Sequence, residues 1–128
     1  MKHKTSELTG ARLDAAVAKA EGKNFGFGAM RGDSAAKVCF IDAPSQRHDQ
    51  TPDWFSPSTL WSTGGSIIER ERIVLVYSYN WTEGKGWHAF DHRYFEHVHG
   101  APDGIGETAL IAAMRAFVGL KFGSDVEL

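Results

Sequence analysis

Ile73-Val74-Leu75-Val76-Tyr77-Ser78-Tyr79 is a run of aliphatic, β-branched and aromatic residues broken by one serine. That composition suits a pleated, packed surface and predicts a well-buried strand over 73–79. Trp81-Thr82-Glu83-Gly84-Lys85-Gly86-Trp87 follows it. Its glycines let the chain turn, so the stretch reads as a hairpin connection into a second strand from Trp87 to about His92. The two strands are expected to pair antiparallel.

Helices flank this hairpin at a distance. Thr5 or Ser6 can cap a first helix over 6–20, in which Leu13, Ala16, Val17 and Ala20 recur at helical spacing. Gly22 lies just past its end, and Lys19 complements the helix dipole there. Gly10 weakens the helix by about 1 kcal/mol relative to alanine, which points to close packing against another backbone. Glu107 or Thr108 opens a last helix with Leu110, Met114, Phe117 and Lys121 on one row and Ile111, Val118 and Phe122 on the next, and Gly123 stops it.

Between these elements the signals are weaker. Residues 24–34 hold three glycines among Phe25, Phe27 and Met30 and read as a turn-rich passage. Val38–Ile41 reads as a short buried strand, Ala43–Asp53 as a polar mobile loop, and Ala101–Gly106 as a Pro/Gly loop. Ile67 and Ile68 start a short helix or turn. The expected fold is α+β: a small, mainly antiparallel sheet packed by an N-terminal and a C-terminal helix, with long loops, in a single domain over 1–128.

The 128 residues, 42% apolar and 12% aromatic, are enough for one core. A net charge of −2 with mixed signs gives no broad basic field, so sequence-independent capture of nucleic acid is not the expected role. Cys39 is the single cysteine and cannot close an internal disulfide. No apolar segment follows Met1-Lys2-His3-Lys4 as a secretory signal would, and no run approaches the roughly 20 apolar residues of a membrane span. A cytoplasmic protein with no membrane role is expected.

The span Trp54–Arg70 carries the densest chemistry. Ser58, Thr59, Ser62 and Thr63 offer hydroxyls, Gly64 and Gly65 allow backbone N–H groups to converge on an anion, and Trp61 offers a stacking face. Glu69 would orient Arg70 toward a phosphate. Arg115 interrupts an apolar run and is expected to aim its head at a carboxylate or ligand, with Glu69 a candidate partner. The expected ligand-binding set is therefore Ser58, Thr59, Trp61, Gly64, Gly65, Glu69, Arg70 and Arg115. Two plainer readings stand beside it: Trp54, Phe55 and Trp61 pin a long loop to the core, and the charges of 69–72 form a solvated face. The glycines match neither a Walker A loop nor a dinucleotide fingerprint.

His88, His92, His97 and His99 crowd one region, with Asp91 and Glu96 nearby. His97 and His99 would share a strand face and His88 and His92 a helical face, so no single element serves both pairs, and no metal site is assigned. Ser56 or Ser58 can be drawn into a triad with His88 and Asp91, but the spacing singles out no catalytic set. No catalytic residue and no cofactor is assigned, and Cys39, in an apolar run, is read as a packed hydrophobe.

Leu8-Thr9-Gly10, Ser56-Pro57-Ser58-Thr59, Gly64-Gly65, Ile67-Ile68-Glu69-Arg70 and Leu110 to Arg115 together resemble the NinX-like family of small bacteriophage and prophage proteins. Leu60 departs from that pattern where an acidic residue is expected before Trp61, and Ser66 where proline is usual. The resemblance implies a stand-alone phage accessory protein acting inside the infected bacterium, without an established activity. Phe55-Ser56-Pro57-Ser58 to Trp61 is also loosely similar to a pattern in phage sponge proteins that sequester cyclic nucleotide signals. Two functions from different classes follow as expectations. One is a non-catalytic binder of a nucleotide-like or small anionic ligand; the other is an interaction module that takes a host protein through the Trp54–Trp61 loop. The oligomeric state is open, a homodimer included.

Overall fold

The computed structural model describes residues 1–30, 33–41, 53–79, 85–93 and 101–128. Its described elements are strands β1 (Lys2–Lys4), β2 (Phe25–Met30), β3 (Asp33–Ile41), β4 (Asp53–Trp54), β5 (Val74–Ser78), β6 (Gly86–Phe90), β7 (Gly104–Gly106) and β8 (Asp125–Glu127), with helices α1 (Gly10–Ala20), α2 (Trp61–Glu71) and α3 (Ala109–Phe122). The class is α+β with helices toward both ends, as expected. The strands divide into three small antiparallel sheets instead of one, ordered β1-β8, β2-β3-β4 and β5-β6-β7.

Helix α3 sits at the centre. The Thr108 hydroxyl accepts the Ile111 N–H at 3.1 Å, a cap worth about 1 kcal/mol. The far end closes at Gly123 with φ 85°, a conformation glycine adopts freely. Between these caps Ala109, Leu110, Ala112, Ala113, Met114, Ala116, Phe117 and Val118 are all buried, so the helix is apolar nearly all round, as an interior helix must be. Small residues let the neighbouring backbone come close. A Cβ on Gly104 of β7 would lie 2.5 Å from the Ala116 nitrogen, and one on Gly106 would lie 2.7 Å from the Ala112 nitrogen. β7 therefore packs main chain to main chain on α3, where a loop was expected. Leu13 and Val17 of α1 join Met114 and Val118 among the largest fully buried side chains, on helices that pack together.

The first helix is shorter than its periodicity suggests. Thr5–Glu7 form one 3-10 turn, Leu8 and Thr9 are extended, and α1 starts at Gly10 with φ 54°. Long-range bonds hold this break: the Arg115 Nε–H donates to the Leu8 carbonyl at 2.9 Å, and the Thr5 hydroxyl donates to the Gly123 carbonyl at 2.8 Å. No atom lies within 4 Å of a Cβ placed on Gly10, so its conformation, not close packing, calls for glycine. The other end follows expectation. Gly22, with φ 74°, donates to the Lys19 carbonyl and Lys23 donates to the Ala18 carbonyl, the two bonds of a Schellman turn.

The expected hairpin partners do pair antiparallel, with Tyr77 opposite Trp87 and Leu75 opposite Ala89. β5 is less buried than expected, with Val76 and Tyr77 each 38% exposed, because it is an edge strand and α3 packs chiefly on β6 and β7. The passage expected to be turn-rich instead forms β2 and the first two residues of β3. Gly26 and Gly28 alternate with Phe25 and Phe27 at strand period, and Gly28 leaves room for the Phe40 ring, whose Cε2 would lie 2.6 Å from an added Cβ. The double glycine lies inside α2, not ahead of it. The polar stretch expected as a mobile loop and most of the hairpin connection lie outside the described residues.

Candidate functional site

The span 54–72 resolves into a buried turn followed by an exposed helix. Phe55, Ser56, Pro57 and Ser58 are buried. The turn is held by Asp14 of α1, whose Oδ1 accepts the Ser58 N–H at 2.9 Å. Burial pushes the Asp14 carboxyl above the usual carboxylate range; the Ser58 N–H and the nearby Ser58 hydroxyl act against that shift. The Ser58 Oγ is itself buried and has no hydrogen-bond partner among the described residues. Cys39 is fully buried, and burial together with the Asp14 charge pushes its thiol up to about 12, so it is protonated at neutral pH and is no nucleophile.

Of the eight residues expected to share a ligand site, Ser58 faces the core, while Thr59, Trp61, Glu69 and Arg70 are exposed. The Gly64 N–H does not point at an anion: it donates to the Leu60 carbonyl at 2.8 Å, as the helix ladder demands. Gly64 is glycine because a Cβ there would overlap the Pro57 carbonyl and lie 2.6 Å from Leu110 Cδ2. A Cβ on Gly65 would meet nothing nearer than the Trp61 ring at 3.5 Å. Arg70 pairs with Glu21 at 2.9 Å and Glu71 at 3.4 Å and stacks over the Phe117 ring, so these acids take the orienting part expected of Glu69. The Glu21 hydrogen bond holds the Arg70 guanidinium above its ordinary range. Phe55 pins the segment to the core, whereas Trp54, Leu60 and Trp61 are 54%, 44% and 58% exposed.

Arg115 stands apart from this group. Its Nε donates to the Leu8 carbonyl at 2.9 Å and its Nη1 to the Ile105 carbonyl at 2.7 Å. A guanidinium carries five N–H donors, so three stay open. Among the described residues it forms no ion pair, neither with Glu69 nor with any other acid. Burial pulls its pKa below the ordinary arginine range, and the charge of Glu107 counters only in part. It lines a cavity of about 420 Å³ with Thr5, Ser6, Asp103, Gly119 and Ser124 among the other walls. The break in an apolar run was the sequence signal for Arg115. Thr5, Ser6, Asp103 and Ser124 carried none, because long-range pairing brings them there: β1 with β8, and β7 against α3.

The histidines do not converge on a metal. His88 is buried on β6 opposite Val76 and Ile105, and His92 is exposed. His97, His99 and Glu96 lie outside the described residues. Among the described residues no three of His, Cys, Asp and Glu are grouped to hold an ion. Asp91 accepts the Arg93 N–H at 2.8 Å and pairs with its guanidinium, and the N–H in particular holds the carboxyl below the usual range.

Among the described residues no helix is long and apolar enough to cross a membrane. No curated protein matches the chain. The family described as Bacteriophage P22, NinX matches residues 4–121, which include every residue of the Arg115 cavity named above except Ser124, and the chain belongs to that family.

Proposed function

We propose that this phage NinX-family protein is a non-catalytic binder of a small anionic or nucleotide-like ligand, held in the cavity lined by Arg115. The observation that carries the reading is the state of that guanidinium: partly buried, fixed by two carbonyls, and without a carboxylate partner. Burial of this charge is costly and the Glu107 charge offsets it only in part, so an oxyanion entering the cavity would supply the remaining compensation through the other N–H donors. Of the residues expected from sequence, the site draws on Arg115 alone; Ser58, Thr59, Trp61, Gly64, Gly65, Glu69 and Arg70 have the placements given above.

A thermal-shift screen against inorganic phosphate, nucleoside monophosphates, cyclic dinucleotides and NAD tests it. A ligand at 100 times its Kd stabilises by about 2.7 kcal/mol, a readily measured rise in Tm. The expected result is a hit in the parent that disappears in a folded Arg115→Gln variant. Silence across the panel, or an equal response from the variant, would contradict it.

Exposure of Trp54, Leu60 and Trp61 within eight positions supports a second reading, a protein-interaction surface of the kind that aromatic anchors serve. It predicts that a Trp54→Ala, Trp61→Ala double variant loses a host protein that the parent retains.

A further inference from the structure

Resting on the proposed anion site, we infer that the Arg115 cavity is built for a bipolar ligand, with an oxyanion at Arg115 and a hydrogen-bond donor, ammonium or hydroxyl, at Asp103. Both residues line one cavity, yet they form no ion pair with each other, nor with any other described residue. Two opposite charges on one wall would normally close on each other. Here each is held back by the main chain. Arg115 is fixed by the Leu8 and Ile105 carbonyls, and Asp103 Oδ2 accepts the Asp91 N–H at 3.0 Å, which leaves its other oxygen uncommitted among the described residues.

The helix sharpens the polarity. Arg115, Gly119 and Gly123 lie four residues apart along α3 and its end and all line the cavity, so the backbone of this wall runs roughly 12 Å from Arg115 to the carbonyl end of the helix. That end carries the negative pole of the helix dipole. The Asp103 carbonyl lies 3.5 Å from a Cβ placed on Gly119, which puts the Asp103 main chain beside the middle of this wall. One end of the cavity thus favours negative charge, while the middle and far end favour a donor. A simple anion would use the first and be repelled by the second; a ligand with a donor a few bonds from its oxyanion would satisfy both.

The test uses three ligands with the same phosphoryl head: methyl phosphate, which presents no donor beyond the head, phosphoethanolamine, which adds an ammonium, and glycerol 3-phosphate, which adds hydroxyls. Calorimetry on the full chain is expected to give at least one donor-bearing ligand a Kd about tenfold below that of methyl phosphate. Asp103→Asn keeps an oxygen for the Asp91 N–H and should erase an ammonium preference; if glycerol 3-phosphate is the tighter ligand, Asp103→Ala should erase that preference. Equal Kd values for the three ligands, or a preference unchanged in both Asp103 variants, would overturn the bipolar assignment while leaving the anion site standing. Failure of all three to bind the parent would overturn the anion site itself, and this inference with it.

Discussion

Helices α2 and α3 are both continuous and are built on opposite principles. α3 buries eight of its fourteen residues and needs only Thr108 and Gly123 to mark its ends. α2 buries only Gly64 and Ile67 of its eleven and carries exposed Trp61 and a charged last turn. The first is held by broad apolar area and the second by a narrow strip, Ile67 in the core and Gly64, whose missing side chain lets the helix lie on the Pro57 carbonyl and Leu110. Burial therefore concentrates the chemistry as well. On α3 a single arginine beside a cavity stands out, while on α2 the arginine of the last turn pairs at the surface with Glu21 and Glu71.

The adjacent glycines of α2 give the strongest way to break this comparison. Gly64→Ala should cost about 3 kcal/mol, since the new methyl meets fixed main chain, and denaturant unfolding will show it. Next comes the turn that feeds α2: Asp14→Ala strands the buried Ser58 N–H and should cost about 2 kcal/mol. Asp14→Asn keeps an acceptor and isolates the charge. The folded-state pKa of Asp14 is raised, so the folded protein holds its proton more tightly than the unfolded chain, whose value is near 3.8. Its ionisation thus removes stability as pH climbs from about 3.8 through the raised pKa, and the loss is complete above it. Stability of Asp14→Asn relative to the parent should rise across that window and be flat below it, measured by unfolding at a series of pH values.

A smaller effect of opposite sign is expected at the next position. Gly65→Ala has room and should stabilise by about 0.5–1 kcal/mol, seen as a higher Tm. If Gly64→Ala and Gly65→Ala move stability in the same direction, the close approach of α2 at Gly64 is not what requires glycine there. Smallest of all, Arg70→Ala removes a half-exposed pair with Glu21 and should cost about 0.5 kcal/mol, less at high salt.

What was legible in the sequence follows the range of the forces involved. Thr108, Gly123 and the apolar rows between them mark α3 by local signals alone, and the β5–β6 pairing follows from a local hairpin. β2 was hidden because Gly26 and Gly28 lack strand propensity; only the alternation with Phe25 and Phe27 betrays it. The double glycine suggested a turn, and its tertiary reason, the Pro57 carbonyl against Gly64, is not written locally. Arg115 was legible as a charge in an apolar run. Its surroundings were not, because Thr5 and Ser6 reach Ser124 through a pairing of the chain's two ends. The expected grouping of Arg115 with Glu69 and Arg70 took helical sequence chemistry for proximity, whereas Arg70 closes on Glu21 of the α1 end.

The central claim is that the Arg115 guanidinium is a fixed cation, without an ion-pair partner among the described residues, that is open to an anion. NMR of its Nε–H resonance, assigned by its loss in Arg115→Lys, tests this most directly. The account predicts a signal protected from solvent exchange by the Leu8 carbonyl that shifts saturably as inorganic phosphate is added at constant ionic strength. A resonance that exchanges freely, or that stays still while the protein remains folded, would contradict it.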